Sequence, residues 1–139
     1  MRKRVLTIFA GLLMLGLPLS ACSVDTPTAG LDQSISFPPG QSCAIAGEDL
    51  IIKFVGVVSD SRCPEGVQCI WAGEVMVQLE INSGGEKTKF YMVKRGAGGD
   101  AVADFGIYKF SFNVTPYPAV GTEITKDQYR LLLTVSKAQ

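Results

Sequence analysis

From Leu50 onward the apolar residues recur mainly at every second position, and a side-chain period of two can be buried on one side only by a pleated strand. Leu50, Ile52, Phe54 and Val58 share one parity, while Ile51, Val55 and Val57 fill the other around Lys53; this two-sided run reads as a central strand. Val75, Val77, Leu79 and Ile81 alternate with Met76, Gln78 and Glu80, and Tyr108, Phe110, Phe112 and Val114 alternate with Lys109, Ser111 and Asn113. Tyr129, Leu131, Leu133 and Val135 form a further set, so each run has one core-facing side. The turn Asn82-Ser83-Gly84-Gly85 supplies left-handed backbone positions and predicts a hairpin that returns through Phe90 and Met92. Pro116-Tyr117-Pro118 halts a strand, and Thr125 to Gln128 matches a capping box for one short turn. The expected fold is all-β, a single domain built as an antiparallel β-sandwich or small barrel.

The first 21 residues obey a different rule. Arg2-Lys3-Arg4 precede an uncharged apolar run from Val5 to Leu19, followed by the small residues Ser20 and Ala21, the three-part pattern of a secretory signal. The run falls short of the roughly 20 residues a membrane-spanning helix needs. Its removal from the 139-residue chain leaves 118, close to the common size of one domain. It also takes three cations and no acid, so 13 Lys+Arg fall to 10 against 13 Asp+Glu, a net charge of −3. A mildly acidic domain with dispersed cations cannot neutralise a row of phosphates, and no nucleic-acid partner is expected. The largest basic cluster, Lys94-Arg95, reads as two ordinary solvated cations before the glycine-rich loop Gly96-Ala97-Gly98-Gly99-Asp100.

The junction Leu19-Ser20-Ala21-Cys22 resembles the lipobox of bacterial lipoproteins. That resemblance implies cleavage before Cys22, a thioether-linked diacylglycerol on its sulfur, commonly a further acyl chain such as palmitate on the new amino terminus, and a domain facing outside the cytoplasm, on the periplasmic side or the cell surface. Two or more chains matter because a single chain gives only reversible membrane binding. The expected organisation is then a signal peptide over 1–21, a lipidated cysteine and flexible tether over 22–33, and a β-sandwich over 34–139. Ser23 to Gln33 is polar and turn-rich, with an expected coil span of about 20 Å.

Once Cys22 is lipidated, Cys43, Cys63 and Cys69 remain, and three thiols permit one intramolecular bridge in an oxidising compartment. Cys63 and Cys69 flank the turn-forming Pro64-Glu65-Gly66-Val67-Gln68, which favours their pairing and leaves Cys43 as a free, buried thiol. Trp71 shares the parity of Val75 and Val77 and is expected to turn inward beside the bridge. The stretch Asp60-Ser61-Arg62-Cys63-Pro64, followed by Cys69-Ile70-Trp71-Ala72-Gly73-Glu74 and by Thr115-Pro116-Tyr117-Pro118, is similar to a pattern in an uncharacterised family of small exported bacterial proteins. The resemblance implies an exported, disulfide-bearing module and brings no activity with it. Cys43 is not part of that pattern, so the other pairings stay open.

The chain has no histidine, which removes the commonest general base, the Ser-His-Asp and Cys-His arrangements and most zinc sites. The spacing of Cys63 and Cys69 is not that of a thioredoxin-like redox pair. The glycine loop lacks the Lys-Ser or Lys-Thr of a phosphate cradle. Asp60, Glu65 and Glu74 surround the bridged loop, yet without the dense acidic spacing of a strong calcium site; no cofactor and no metal are expected. The expectation is a non-enzymatic binding or interaction module held on the membrane through Cys22. It would meet an envelope protein or a small ligand through a loop containing Asp60, Arg62, Glu65 and Glu74. The rival expectations are a carboxylate- or thiol-dependent envelope enzyme and a structural envelope component.

Overall fold

The computed structural model describes residues 26–138, so the signal segment and Cys22 lie outside the described residues. Among the described residues nine strands follow in order: β1 (Thr28–Ala29), β2 (Ser34–Phe37), β3 (Ser42–Ile45), β4 (Leu50–Asp60), β5 (Glu74–Ser83), β6 (Glu86–Arg95), β7 (Ala101–Phe105), β8 (Tyr108–Thr115) and β9 (Arg130–Lys137). They form a five-stranded sheet, β1-β3-β4-β5-β6, packed on a four-stranded sheet, β2-β9-β8-β7. The sheets remain open, which makes the domain a sandwich rather than a barrel. Every pair is antiparallel except β1 with β3, which runs parallel.

The period-two runs are the inner faces. Val75, Val77, Leu79 and Ile81 from β5 meet Phe110, Phe112 and Val114 from β8 and Leu131, Leu133 and Val135 from β9, all buried. The β5–β6 hairpin turns on Gly84 and Gly85, both at positive φ, as two-residue loops between twisted strands require. Thr125 to Gln128 forms one hydrogen-bonded turn, in which the Gln128 side chain accepts from the Thr125 N–H at 2.8 Å. It closes no longer helix.

β4 departs from its simple alternation. Its register against β5 slips between Phe54 and Gly56 and again between Val57 and Ser59. Each extra residue flips the parity that follows, as a bulge does. Leu50, Ile52 and Phe54 are buried and Val57 packs against the core, while Val55 and Val58 are exposed. The strand is central, between β3 and β5, but its second apolar face meets solvent rather than protein.

The start of the domain also differs from the expected boundary at residue 34. Thr28 and Ala29 pair with Ala44 and Ile45, Ala29 is buried, and the Asp32 N–H donates to the Val135 carbonyl at 2.8 Å. Residues 28–33 thus cross from the edge of one sheet to the edge of the other and are part of the sandwich. Short β1 and β2 lack a hydrophobic period long enough to stand out, which is why composition alone assigns them to a tether.

Packing on this pattern makes a clear contrast in stability. Phe110→Ala, at a fully buried site, is expected to cost about 3–5 kcal/mol in urea unfolding. Val102→Ala, on the exposed side of β7, should stay within about 0.5 kcal/mol of the wild type.

Candidate functional site

β4 ends at Asp60 and β5 starts at Glu74, and the segment between them extends beyond the sheet at what we term the upper end. Its two arms stay zipped. The Ser61 N–H donates to the Glu74 carbonyl at 2.8 Å and the Cys63 N–H to the Ala72 carbonyl at 3.0 Å. Gly73, at φ +69°, lies so close to the opposite arm that an added Cβ would sit 1.8 Å from the Ser61 oxygen. Only glycine fits there. Cys63 and Cys69 are disulfide-bonded, with Cα atoms 6.0 Å apart, and close the loop tip; Cys43 is free and buried in β3.

Asp60 and Arg62 turn inward, contrary to the expected exposed binding loop. The Arg62 side chain is wholly buried and grips Asp60 through two bonds, Nε to Oδ1 at 2.8 Å and a terminal nitrogen to Oδ2 at 2.6 Å. Its remaining donors reach the Val114 carbonyl at 2.8 Å and the Pro116 carbonyl at 3.0 Å, and its guanidinium carbon lies 4.9 Å from the centre of the Tyr117 ring. The Tyr129 hydroxyl donates to Asp60 Oδ2 at 3.1 Å. Burial pushes the Asp60 carboxyl up, but the hydrogen bonds and charge of Arg62, aided by Tyr129, outweigh it and hold the pKa below its ordinary value. Tyr129 is raised, by burial first and then by the Asp60 charge. The cluster joins the end of β4 to the end of β8, and its chemistry is consumed in doing so.

The other two acids do not join them. Glu74 pairs with Arg95 on the surface, Nε to Oε2 at 3.1 Å, while exposed Glu65 uses its backbone, its N–H donating to the Pro118 carbonyl at 2.9 Å. Among the described residues, no group of three or more Cys, Asp or Glu side chains is placed to hold a metal ion. Lys94 also departs from its expected place in solvent. It is 2% exposed, and its ammonium donates to the Gly96 and Gly98 carbonyls at 3.4 and 3.1 Å, tying down the glycine loop that follows it. Arg95, its neighbour in the other pleat direction, is exposed.

Trp71 is the largest correction. It is 82% exposed and Ile70 beside it 101%, whereas the parity of Val75 and Val77 places the indole in the core. Parity holds only along a continuous strand, and the ladder stops at Glu74; the left-handed Gly73 then redirects the chain. A glycine two residues beyond the tryptophan is the signal that marks the break. With Ser61, Ala72, Gly73, Glu74 and Arg95, Trp71 lines an open groove of about 590 Å³. Exposed Val67 and Val120 flank the same end, where Glu65 bridges to Ala119.

Removal of the carboxylate in Asp60→Ala leaves a buried guanidinium without its charge partner and should cost about 3–5 kcal/mol. Because the Asp60 pKa is lowered on folding, its contribution is complete above the ordinary value of 3.8 and fades as pH falls through the lowered one. Urea midpoints measured down a pH series should show this acid limb in the wild type and its loss in Asp60→Ala. Gly73→Ala, which adds left-handed strain to the clash with Ser61, should lower stability by more than about 1–2 kcal/mol.

No family model matches the sequence, and no curated protein or solved structure shows significant similarity to it.

Proposed function

We propose that the chain is a bacterial-type lipoprotein, anchored through acyl chains on Cys22 to the outer side of a membrane, whose domain acts without catalysis as an interaction module. The anchor rests on the lipobox Leu19-Ser20-Ala21-Cys22 at the end of a three-part export segment. The role of the domain rests on one observation: Ile70 and Trp71 are held out in solvent on a loop whose backbone is fixed by a disulfide, paired arms and Gly73.

Keeping an isoleucine exposed forgoes about 1.5–3 kcal/mol of burial. A tryptophan on a rigid mount is the kind of side chain that anchors an interface, because little conformational entropy is lost when it is covered. The interaction surface is therefore Ile70, Trp71 and the Glu74–Arg95 pair at its rim, rather than Asp60 and Arg62, which face inward. Glu65 lies on the flank of the same end. A carboxylate-dependent enzyme gains no support from acids that are each committed elsewhere or solitary, and Cys43 stands at the level of Ile52, well down β4 from the bridge.

In a bacterial host, Cys22→Ser should abolish incorporation of labelled palmitate and release the protein from the membrane fraction; retained label ends the lipoprotein reading. A photoreactive residue in place of Ile70 should give a reproducible adduct in native membranes. Absence of any adduct, with the protein anchored, counts against the interaction role.

A further inference from the structure

We infer that the partner of the Ile70–Trp71 tip is the lipid surface itself, so that the domain stands on the membrane with its upper end in the headgroup layer. This rests on the anchoring reading above and adds an orientation and a contact to it. The first observation is the direction of the chain. β1 runs parallel to β3, and β3 antiparallel to β4, so the backbone traced back from Thr28 points along β4 toward Asp60. The Pro27 carbonyl accepts from the Ala44 N–H at 2.9 Å, which continues that course beyond the strand.

The second observation is length. Thr28 lies level with Ala44, Ile51 and Asn82, and Asp60 lies level with Val75, so seven β5 residues separate the two levels, about 23 Å at the rise of a strand. Six residues take the chain from Thr28 back to Cys22, a reach of at most about 21 Å. At full extension the acylated sulfur therefore arrives at the level where β4 ends, and any shorter path draws the domain closer to the bilayer. The loop from Ser61 to Gly73 projects beyond that level. Its tip then lies within the interfacial layer of the membrane.

The third observation is what the two ends carry. The lower end has the turn Gly84-Gly85 with Glu86 and Lys87, and Glu48 bonded to Lys137 at 2.7 Å, with Ile107 exposed at its tip and Ile51 partly exposed on the face of β4. At the upper end Ile70 and Trp71 are exposed with Val67 and Val120 nearby. An indole has an apolar body and one N–H donor, the combination that places tryptophan at the boundary between headgroups and acyl chains. Glu74 and Arg95, at the rim, neutralise each other, and exposed Glu65 on the flank adds a negative charge that gives anionic lipid no attraction. The contact is therefore apolar in origin and independent of anionic lipid, unlike one made by a basic patch.

Trp71 is the single tryptophan of the chain and reports its own surroundings. The acylated full-length mature protein is reconstituted into phosphatidylcholine vesicles, and its emission is compared with that in vesicles of brominated phosphatidylcholine. The expected result is a shift to shorter wavelength and loss of most of the intensity with the brominated lipid. In a Trp71→Phe, Ile107→Trp variant the reporter sits at the lower end, and its emission should remain that of an exposed indole. Intact mass first establishes acylation on Cys22, so an unmodified cysteine defeats the anchoring reading and is recognised as such. Acylated, vesicle-bound protein whose Trp71 stays unshifted and unquenched overturns the lipid contact while leaving the anchor in place. Equal quenching at residue 107 overturns the orientation, and an adduct from residue 70 to protein rather than lipid reassigns the partner.

Discussion

A guanidinium withdrawn from water must find a partner for nearly every N–H it carries, and the upper end of this sandwich is organised around meeting that demand for Arg62. Asp60 supplies two acceptors, Val114 and Pro116 supply carbonyls, and Tyr117 supplies a ring face. Those groups come from different sheets. Satisfying one cation therefore fixes the end of β4 against the end of β8, and it aligns the segment that carries Tyr117 with the root of the bridged loop. Such a pair adds less net stability than its short bonds suggest, because both charges are desolvated. Its contribution is placement, since few arrangements satisfy all the partners at once.

The core was readable in the sequence because a strict alternation leaves one solution. Val75 to Ile81, Tyr108 to Val114 and Tyr129 to Val135 bury the residues their parity selects. The bridge between Cys63 and Cys69 was readable from the turn between them. What was hidden depends on tertiary partners or on single-residue breaks in a pattern. Gly56 inside the apolar run is the local sign of the first bulge in β4, the second at Val58 has none, and Lys94 looks like any surface lysine until the carbonyls of Gly96 and Gly98 close on it. Asp60 and Arg62 read from the sequence as part of an exposed binding loop; beyond their bonds to each other, the partners that draw them inward lie more than 50 residues away in the chain. Trp71 escapes the pattern because parity does not carry across Gly73, which lies outside the strand at positive φ.

With Asp60 and Arg62 turned inward and Ile70 and Trp71 turned outward, the upper end presents apolar area where the sequence suggests polar groups. Because the sandwich begins at Thr28, it starts only six residues after Cys22, and under the proposed anchoring that apolar area comes within reach of the bilayer. A loop held by a staple, zipped arms and a required glycine would meet the proposed lipid contact as a stiff foot rather than a flexible feeler. Stiffness suits a contact whose partner is a fluid, since the lipids can adjust to the side chain.

The two-residue strand β1 has a consequence for the durability of the protein. It covers the free edge of β3, and Ala29 lies against the region of Cys43, whose thiol is held up in pKa chiefly by its burial. A chain clipped by a protease just after Ala29 would bare a row of unpaired backbone groups and unseal a thiol at the same place. Under oxidising conditions, two such fragments could join edge to edge and be locked by a sulfur–sulfur bond. By covering that edge, β1 would keep the molecule from pairing with its own damaged copies.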